Sequence, residues 1–513
     1  MAPLALLLCA CLPKLWQGDF NVDTGAYSAY GLQAWRAGFD HGDWSWLWTL
    51  RGMGGDPASG GTLYFNKPPL AFWIHGLVLY LSTMGGGNAT IFFARLPSVM
   101  AAGMSVWFSC RAAQVLGGRR MACIAGCVMA TSIHFITYAR AFSLDLWQLA
   151  GLSFMLWMVA QAVATTAASK RRSALFMSAA GLGLGAALMA KPVVALVAVP
   201  IVLVWLGLSR RFALAGMLGL TLMVALAIAG PWHVSMWMLH GEAFTSQYIG
   251  NQIIERARGT LPSNAGAEHF YYYLLEIARS GWPWLALAPV AGVAAWAATR
   301  RGTDGAREGS SRGRSLVALG ACWLAIWLVL LSSFADKRPR YLSIVAPAVG
   351  WLWAPTIVAV TGSLAMVRRA LSRWVLPMGL LAAVAVSVAP LKVHSEQPAD
   401  WTAAIEQVRA AAAAEGANVW GASLSPMGSS RFYLALGFWP RPTVDYAKRP
   451  LAAPTMAGSI LVYESDNGVW NARPGAGEAV LLENGKVIVS RLDTPPWKPV
   501  SAPHLHPADQ TGP

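Results

Sequence analysis

The chain has 513 residues, 56% of them hydrophobic and only 12% charged, with a formal net charge of +15. Soluble domains carry about 25% charged residues, so this composition excludes a wholly soluble protein and points to several membrane spans. The basic balance raises nucleic acid as a partner, but most of these charges sit in short loops, where the positive-inside rule accounts for them, and no nucleic-acid partner is expected. The 25 tryptophans agree with a membrane protein, because Trp gathers at the interface.

From the N-terminus, residues 2–13 are apolar but shorter than the roughly 20 residues a span needs. No Lys or Arg precedes them, so a secretory signal fits poorly. A start codon placed too late would account for a shortened first helix. Apolar runs of spanning length follow near 89–116, 121–138, 147–168, 174–190, 192–207, 212–229, 283–299, 315–333, 341–363 and 374–390. With the short first helix these predict a bundle of about eleven spans.

Basic clusters set the orientation. Arg119-Arg120, Lys170-Arg171-Arg172, Arg210-Arg211, the Arg-rich loop 300–314 and Arg368-Arg369 with Arg373 all fall on one side if the N-terminus is inside. This requires that the apolar stretch 70–84 does not cross. It reads as a helix at the outer interface, started by Pro68-Pro69 and stopped by Gly85-Gly86-Gly87. A transmembrane domain then covers 1–390, with outer loops 14–88 and 231–282. Residues 391–513 form a soluble outer domain with a net charge of −1, which leaves +16 on residues 1–390. That domain reads as small α/β: a helix over 400–414, strands over 417–421, 459–463 and 487–490, and a disordered tail. The six cysteines lie in apolar stretches and suggest neither disulfides nor a metal cluster, and no His pair has metal-ligand spacing.

Several charges stand where a membrane protein rarely spends them. Asp23 lies about ten residues beyond the first helix. Lys67 directly precedes the interfacial helix, whose N-terminus already favours an anion, and together they make a phosphate seat. Asp145 lies at the outer end between two apolar helices. It reads either as a functional carboxylate or as a structural one, pairing with Arg140 or capping its helix. The outer loop Phe334–Tyr341 breaks the positive-inside pattern with Lys337, Arg338 and Arg340, as expected for binding either a phosphorylated lipid or membrane headgroups. Lys191 sits at an outer turn, as a site residue or as a snorkelling lysine. In the loop 231–282, Arg256 is a candidate phosphate contact, and the aromatics, Tyr271-Tyr272-Tyr273 among them, read as an interfacial belt.

Read in order, Asp23, Gly42-Asp43-Trp44, Lys67-Pro68-Pro69, Ala94-Arg95-Leu96-Pro97-Ser98, Ala139-Arg140 with Asp145, Ala190-Lys191-Pro192, Pro231-Trp232, Arg256, Gly281-Trp282-Pro283-Trp284 and Lys337-Arg338-Pro339-Arg340-Tyr341 resemble the GT-C glycosyltransferases. The nearest branches are the aminoarabinose lipid A transferases and the protein O-mannosyltransferases. The resemblance runs over about residues 1–350. It implies an all-α polytopic bundle with an outward-facing site in the bacterial inner membrane. It implies a polyprenyl-phosphate-linked sugar as donor and a lipid A, glycolipid or protein acceptor at the periplasmic face. Asp23 and Asp145 match the family's loop aspartates, and Lys67, Arg256 and Tyr341 match residues that hold the carrier phosphate or line the site. Lys337 and Arg340 join them as phosphate-side cations.

Two departures bear on cofactors. Asn66 and Gln252 occupy positions that serve as zinc ligands in the aminoarabinose branch, and amides are poor zinc ligands, so no zinc is expected. The chemistry expected is attack on an anomeric carbon, with cations stabilising the leaving phosphate and Asp23 as base if the acceptor is a hydroxyl. The alternative is a transporter or flippase of polyprenyl-linked sugars. That would place its ionisable residues near the midplane on broken helices, whereas here they cluster in loops at one face.

Overall fold

The structure is a computed structural model. It describes residues 2–16, 22–52, 62–84, 89–166, 168–258, 269–280, 305–363, 404–411, 419–423, 441–442, 459–466, 469–470, 472–474, 478–484, 487–493 and 500–501. The chain divides into two compact units. One comprises Met1–Trp16, Phe65–Ile74 and Arg95–Val393, and the other Gln17–Tyr64, His75–Ala94 and His394–Pro513.

The first unit is helical. Among the described residues, six helices are long and apolar enough to cross a membrane: Ile91–Gly117, Leu144–Thr165, Lys170–Ala190, Phe212–Glu255, Gly313–Ser333 and Pro339–Val358. The pair Arg119–Ala130 and Ile133–Ala139, bent by 66°, makes a seventh if it is one span. Ala2–Cys11 and Val193–Leu208 are apolar but shorter. The expected spans at 283–299 and 374–390 lie outside the described residues, so the expectation of eleven is met in part.

Two of the expected spans take a different form. The run 121–138 breaks because the Thr131 hydroxyl donates to the Cys127 carbonyl at 2.7 Å and Ser132 turns extended. A Thr that bonds back to its own turn bends a helix in this way. The run 212–229 does not stop at Pro231. The helix Leu218–Thr245 continues through that proline and kinks at Gly241, whose φ of 48° and ψ of −119° suit a glycine. Its 28 residues would span roughly 42 Å if straight, longer than the ~30 Å hydrocarbon core, so the loop read over 231–282 begins as helix.

Small residues let the helices approach, as they must in lipid, where apolar burial alone drives no association. Gly151 on Leu144–Thr165 and Gly183 on Lys170–Ala190 face each other so closely that a Cβ on either would run into the other's carbonyl oxygen. Buried polar contacts tie further pairs. Ser109 bonds Ser153 at 3.2 Å, Thr221 donates to the Met177 carbonyl at 2.7 Å, and the Trp323 indole donates to the Ile344 carbonyl at 2.8 Å. Two buried arginines hold the end of the first helix. Arg140 donates to the Ala10 carbonyl, and Arg95 to the Leu15 carbonyl at 3.3 Å.

In the second unit, Val22–His41 is a 20-residue helix within what reads from sequence as loop. It ends at Gly42, with a φ of 74°, where the Gly42 and Asp43 amides return to the Gly38 and Ala37 carbonyls. Asp43 then accepts from the Ser45 hydroxyl and amide and from the Trp46 indole. These donors, the Ser45 hydroxyl foremost, hold its exposed carboxyl below the usual carboxylate range. The expected helix after Pro68-Pro69 is present as Leu70–Thr83. Its Gly76 lies against the Gly31 backbone, and Tyr80 donates to Asp40 at 2.8 Å.

Residues 404–501 carry a helix at 404–411 and a mixed sheet. Val419–Ser423 pairs in parallel with Arg441–Pro442 and Ile460–Asp466; Ile460–Asp466, Val487–Leu492 and Glu478–Asn484 pair antiparallel. Ala404 and Val408 pack on Val419, Ile460, Val462, Val487 and Val489. The expected helix and strands are there, within a few residues of their predicted ends. The strand Glu478–Asn484 was not legible, because its apolar residues run together rather than alternating.

Candidate functional site

Antiparallel packing of Leu144–Thr165 on Lys170–Ala190 brings the start of the first beside the end of the second. Ser143 caps the start, accepting from the Leu146 amide at 3.3 Å, and Asp145 lies in the first turn. Lys191 follows the last helical residue of the neighbour, and its ammonium pairs with the Asp145 carboxylate. Both side chains are largely buried, so the pair is far less screened than a surface one. The expected pairing of Asp145 with Arg140 is not formed. Arg140 binds the Ala10 carbonyl, and the charged partner of Asp145 is Lys191, 46 residues away.

The Lys191 ammonium also lies 4.3 Å from the ring centre of Tyr341, and the Arg340 guanidinium lies 5.8 Å from the same ring. This joins the basic loop to the carboxylate. Within that loop, Lys337 donates to the Phe334 carbonyl at 2.7 Å and Arg338 pairs with buried Asp336 at 2.7 Å. The Tyr273 hydroxyl both receives the Arg338 amide at 3.1 Å and donates to its carbonyl at 3.3 Å. Tyr273 is fully buried, so it is a brace of the loop and not part of an interfacial belt.

Beyond the Gly241 kink, Ser246–Glu255 forms a π-helix and Arg256–Arg258 one further turn. Wide π turns recur at functional sites. The Tyr248 hydroxyl stands 2.7 Å from His233 Nε2 and against the Val193 backbone, just past Lys191-Pro192. The Ala257 carbonyl accepts from the Ala335 amide at 3.3 Å. Between these two anchors, Gln252 Oε1 receives the Lys67 ammonium at 2.5 Å.

Of the residues singled out from sequence, Asp145, Lys191, Arg340 and Tyr341 thus form one cluster. Lys67 is buried against the Gln252 arm, which touches that cluster's neighbours at Val193 and Ala335. Asp23 is the second residue of the Val22–His41 helix, and Arg256 opens its short helix; both side chains lie outside the described part of the structure. Sequence reading took Gln252 only as a replaced zinc-ligand position and Tyr273 only as part of an aromatic belt, and did not foresee their contacts with Lys67 and Arg338. Spacing could not reveal either, since their partners lie 185 and 65 residues away.

The chain is similar in sequence and in fold to known proteins. The family described as dolichyl-phosphate-mannose-protein mannosyltransferase matches residues 66–237. Undecaprenyl phosphate-α-4-amino-4-deoxy-L-arabinose arabinosyl transferase of Pectobacterium carotovorum is 26% identical over 351 residues, 66% of this chain and 58% of the relative. Its counterpart from Photorhabdus laumondii is 24% identical over 298 residues, 54% of this chain and 47% of the relative. The chain thus spans about half the length of the curated relatives it matches. The crystal structure of ArnT from Cupriavidus metallidurans bound to undecaprenyl phosphate superposes with a TM-score of 0.69 at 17% identity, covering 96% of this chain and 98% of that one. In fold, the chain is similar to ArnT over nearly its whole length.

Proposed function

We propose that this protein is a multi-pass glycosyltransferase of the bacterial inner membrane, transferring a sugar from a polyprenyl-phosphate donor to a lipid A, glycolipid or protein acceptor at the periplasmic face. The observation that carries the reading is the gathering of Asp145, Lys191, Arg340 and Tyr341 around the end of a helical hairpin opposite to Lys170-Arg171-Arg172, with Lys67 held by Gln252 on the arm that bonds to Val193 and Ala335. Basic clusters of that kind mark the cytoplasmic side, which puts the gathered charges outside. The likeness to relatives named for undecaprenyl-phosphate-linked aminoarabinose supports the donor class. Residues 391–513 make a soluble periplasmic domain in this reading.

The acceptor oxygen attacks the anomeric carbon, and the bond from that carbon to the carrier phosphate breaks, the phosphate leaving with the electron pair. Lys67, Arg256 and the cations of the 337–340 loop stabilise that developing charge, ready-placed and without reorganisation. For a hydroxyl acceptor, Asp23 takes the proton; for an anionic phosphate acceptor, it orients the sugar. Asp145 serves as the countercharge that fixes Lys191 beside Tyr341. Zinc has no part in this scheme. The amides of Asn66 and Gln252 do not fit a zinc site, and Gln252 Oε1 already faces an ammonium.

Mass spectrometry of envelope glycolipids and glycoproteins in a deletion strain tests the proposal and names the sugar and acceptor. A species lacking one sugar is expected, restored by the intact gene. An unchanged profile, with polyprenyl-linked sugar accumulating at the inner face, would favour a transporter.

A further inference from the structure

The motif Gly42-Asp43-Trp44 takes no part in the chemistry proposed above, yet its turn holds one ring in a fixed place. The Gly42 and Asp43 amides return to the end of Val22–His41, and Asp43 accepts from Ser45 and from the Trp46 indole. Trp44, between them, folds back on the helix. A Cβ at Gly38 would stand 2.6 Å from its indole, so the ring takes the space that a side chain there would fill.

Trp44 joins a row of rings. Phe39 stacks on Trp35 at 5.5 Å and on Tyr80 at 5.0 Å, and Trp44 meets Phe39 edge-on at 5.0 Å. Phe39 and Trp44 are half exposed, at 51% and 50%. Carboxylates stand at both ends: exposed Asp40 on the Tyr80 hydroxyl at 2.8 Å, and exposed Asp43 next to Trp44. Arg36 lies near Tyr80 and Arg51 near Asp43, so cations and carboxylates balance along the row.

We infer that this shelf, centred on Trp44, binds a neutral saccharide, and that the acceptor of transfer is therefore a glycan-bearing molecule. The link to the acceptor rests on the proposed glycosyltransferase reading; the saccharide site does not. A pyranose has faces of weakly positive C–H groups, which pack on the negative face of an aromatic ring. Its rim of hydroxyls donates to carboxylates and accepts from guanidinium groups. The shelf offers all three partners. A phosphate or an anionic membrane surface calls for net positive charge, which gathers at Lys191 and Arg340 and not on this row. The rings are held before a ligand arrives, so little rotamer entropy is lost on binding.

The test follows three neutral trisaccharides, chitotriose, maltotriose and cellotriose, on the purified full chain in a sugar-free detergent, by saturation-transfer difference NMR. At least one should bind the wild type saturably, with transfer strongest to the C–H protons of one sugar face. Trp44→Leu keeps an apolar cover on Gly38 but removes the aromatic face, and should weaken that binding about tenfold, the scale of one aromatic contact. Trp44→Phe should recover most of the loss, which a merely structural role for the side chain would not require. Binding of undecaprenyl phosphate is measured in the same samples. No binding of any trisaccharide to the wild type, or Trp44→Leu binding within twofold of the wild type, would overturn the inference; bound lipid phosphate would then leave the donor reading standing. Saccharide binding through Trp44 by a chain that does not bind the lipid phosphate would overturn the donor reading and leave the saccharide site.

Discussion

The Asp145 carboxylate pairs with the Lys191 ammonium, which in turn lies over the Tyr341 ring at 4.3 Å. The two charges come from facing ends of adjacent helices, and the ring belongs to the basic loop that follows Gly313–Ser333. A carboxylate, a cation and an aromatic face are thus assembled from three separate spans. A buried pair of this kind is weak evidence for net stability, but removing one partner leaves the other charge uncompensated.

Asp145→Asn and Lys191→Met should each lower the unfolding free energy by about 3–5 kcal/mol, and the double substitution should recover most of that loss. Thermal unfolding in detergent measures it. A single variant as stable as the wild type would show that the pair does not form as described. Asp145→Asn should also lose transfer activity, by less than a substitution at Asp23, since its role is in part structural.

Asp23→Asn should insert and express normally and lose nearly all transfer. Lys67→Ala should insert normally, bind donor more weakly and lose on the order of 10²–10³ in rate, the cost of removing a preorganised charge at a developing anion. Transfer of radiolabelled sugar from polyprenyl phosphate in membranes, or complementation of the deletion strain, gives the answer. Wild-type activity in Asp23→Asn would remove the basis for the site.

Orientation can be read directly. Reporter fusions after residues 120, 172, 211 and 310 should report cytoplasm, and a fusion after residue 400 the periplasm. Each of the first four follows or lies within a basic cluster. A periplasmic signal at residue 172 would invert the hairpin that carries Asp145 and Lys191, and the site with it.

Elemental analysis of protein purified without chelator should find well under one zinc per chain. The ground is the donor chemistry at Asn66 and Gln252, with the Lys67 ammonium against Gln252 Oε1. Stoichiometric zinc would mean that other side chains supply its ligands.

The sequence by itself determined which segments are apolar enough to enter the membrane, and its basic clusters set the expectation of which way they face. A run of twenty apolar residues and a cluster of arginines act where they stand, whatever surrounds them. The helix at Leu70–Thr83 and the strands Ile460–Asp466 and Val487–Leu492 were legible for the same reason, since turn residues and apolar patterning are local. The ordered motifs also singled out Asp23, Lys67, Asp145 and Tyr341 as candidate site residues. Only the tertiary structure decided the partners. Asp145 passes over Arg140, five residues away, for Lys191, because the Gly151–Gly183 contact brings the two helix ends together. Lys67 reaches Gln252 across 185 residues, because Gly241 bends the helix before the arm and the Ala257–Ala335 bond secures its end. An ion pair or a hydrogen bond is chosen by distance in space, and that distance is set by how helices pack, a property that no single segment carries.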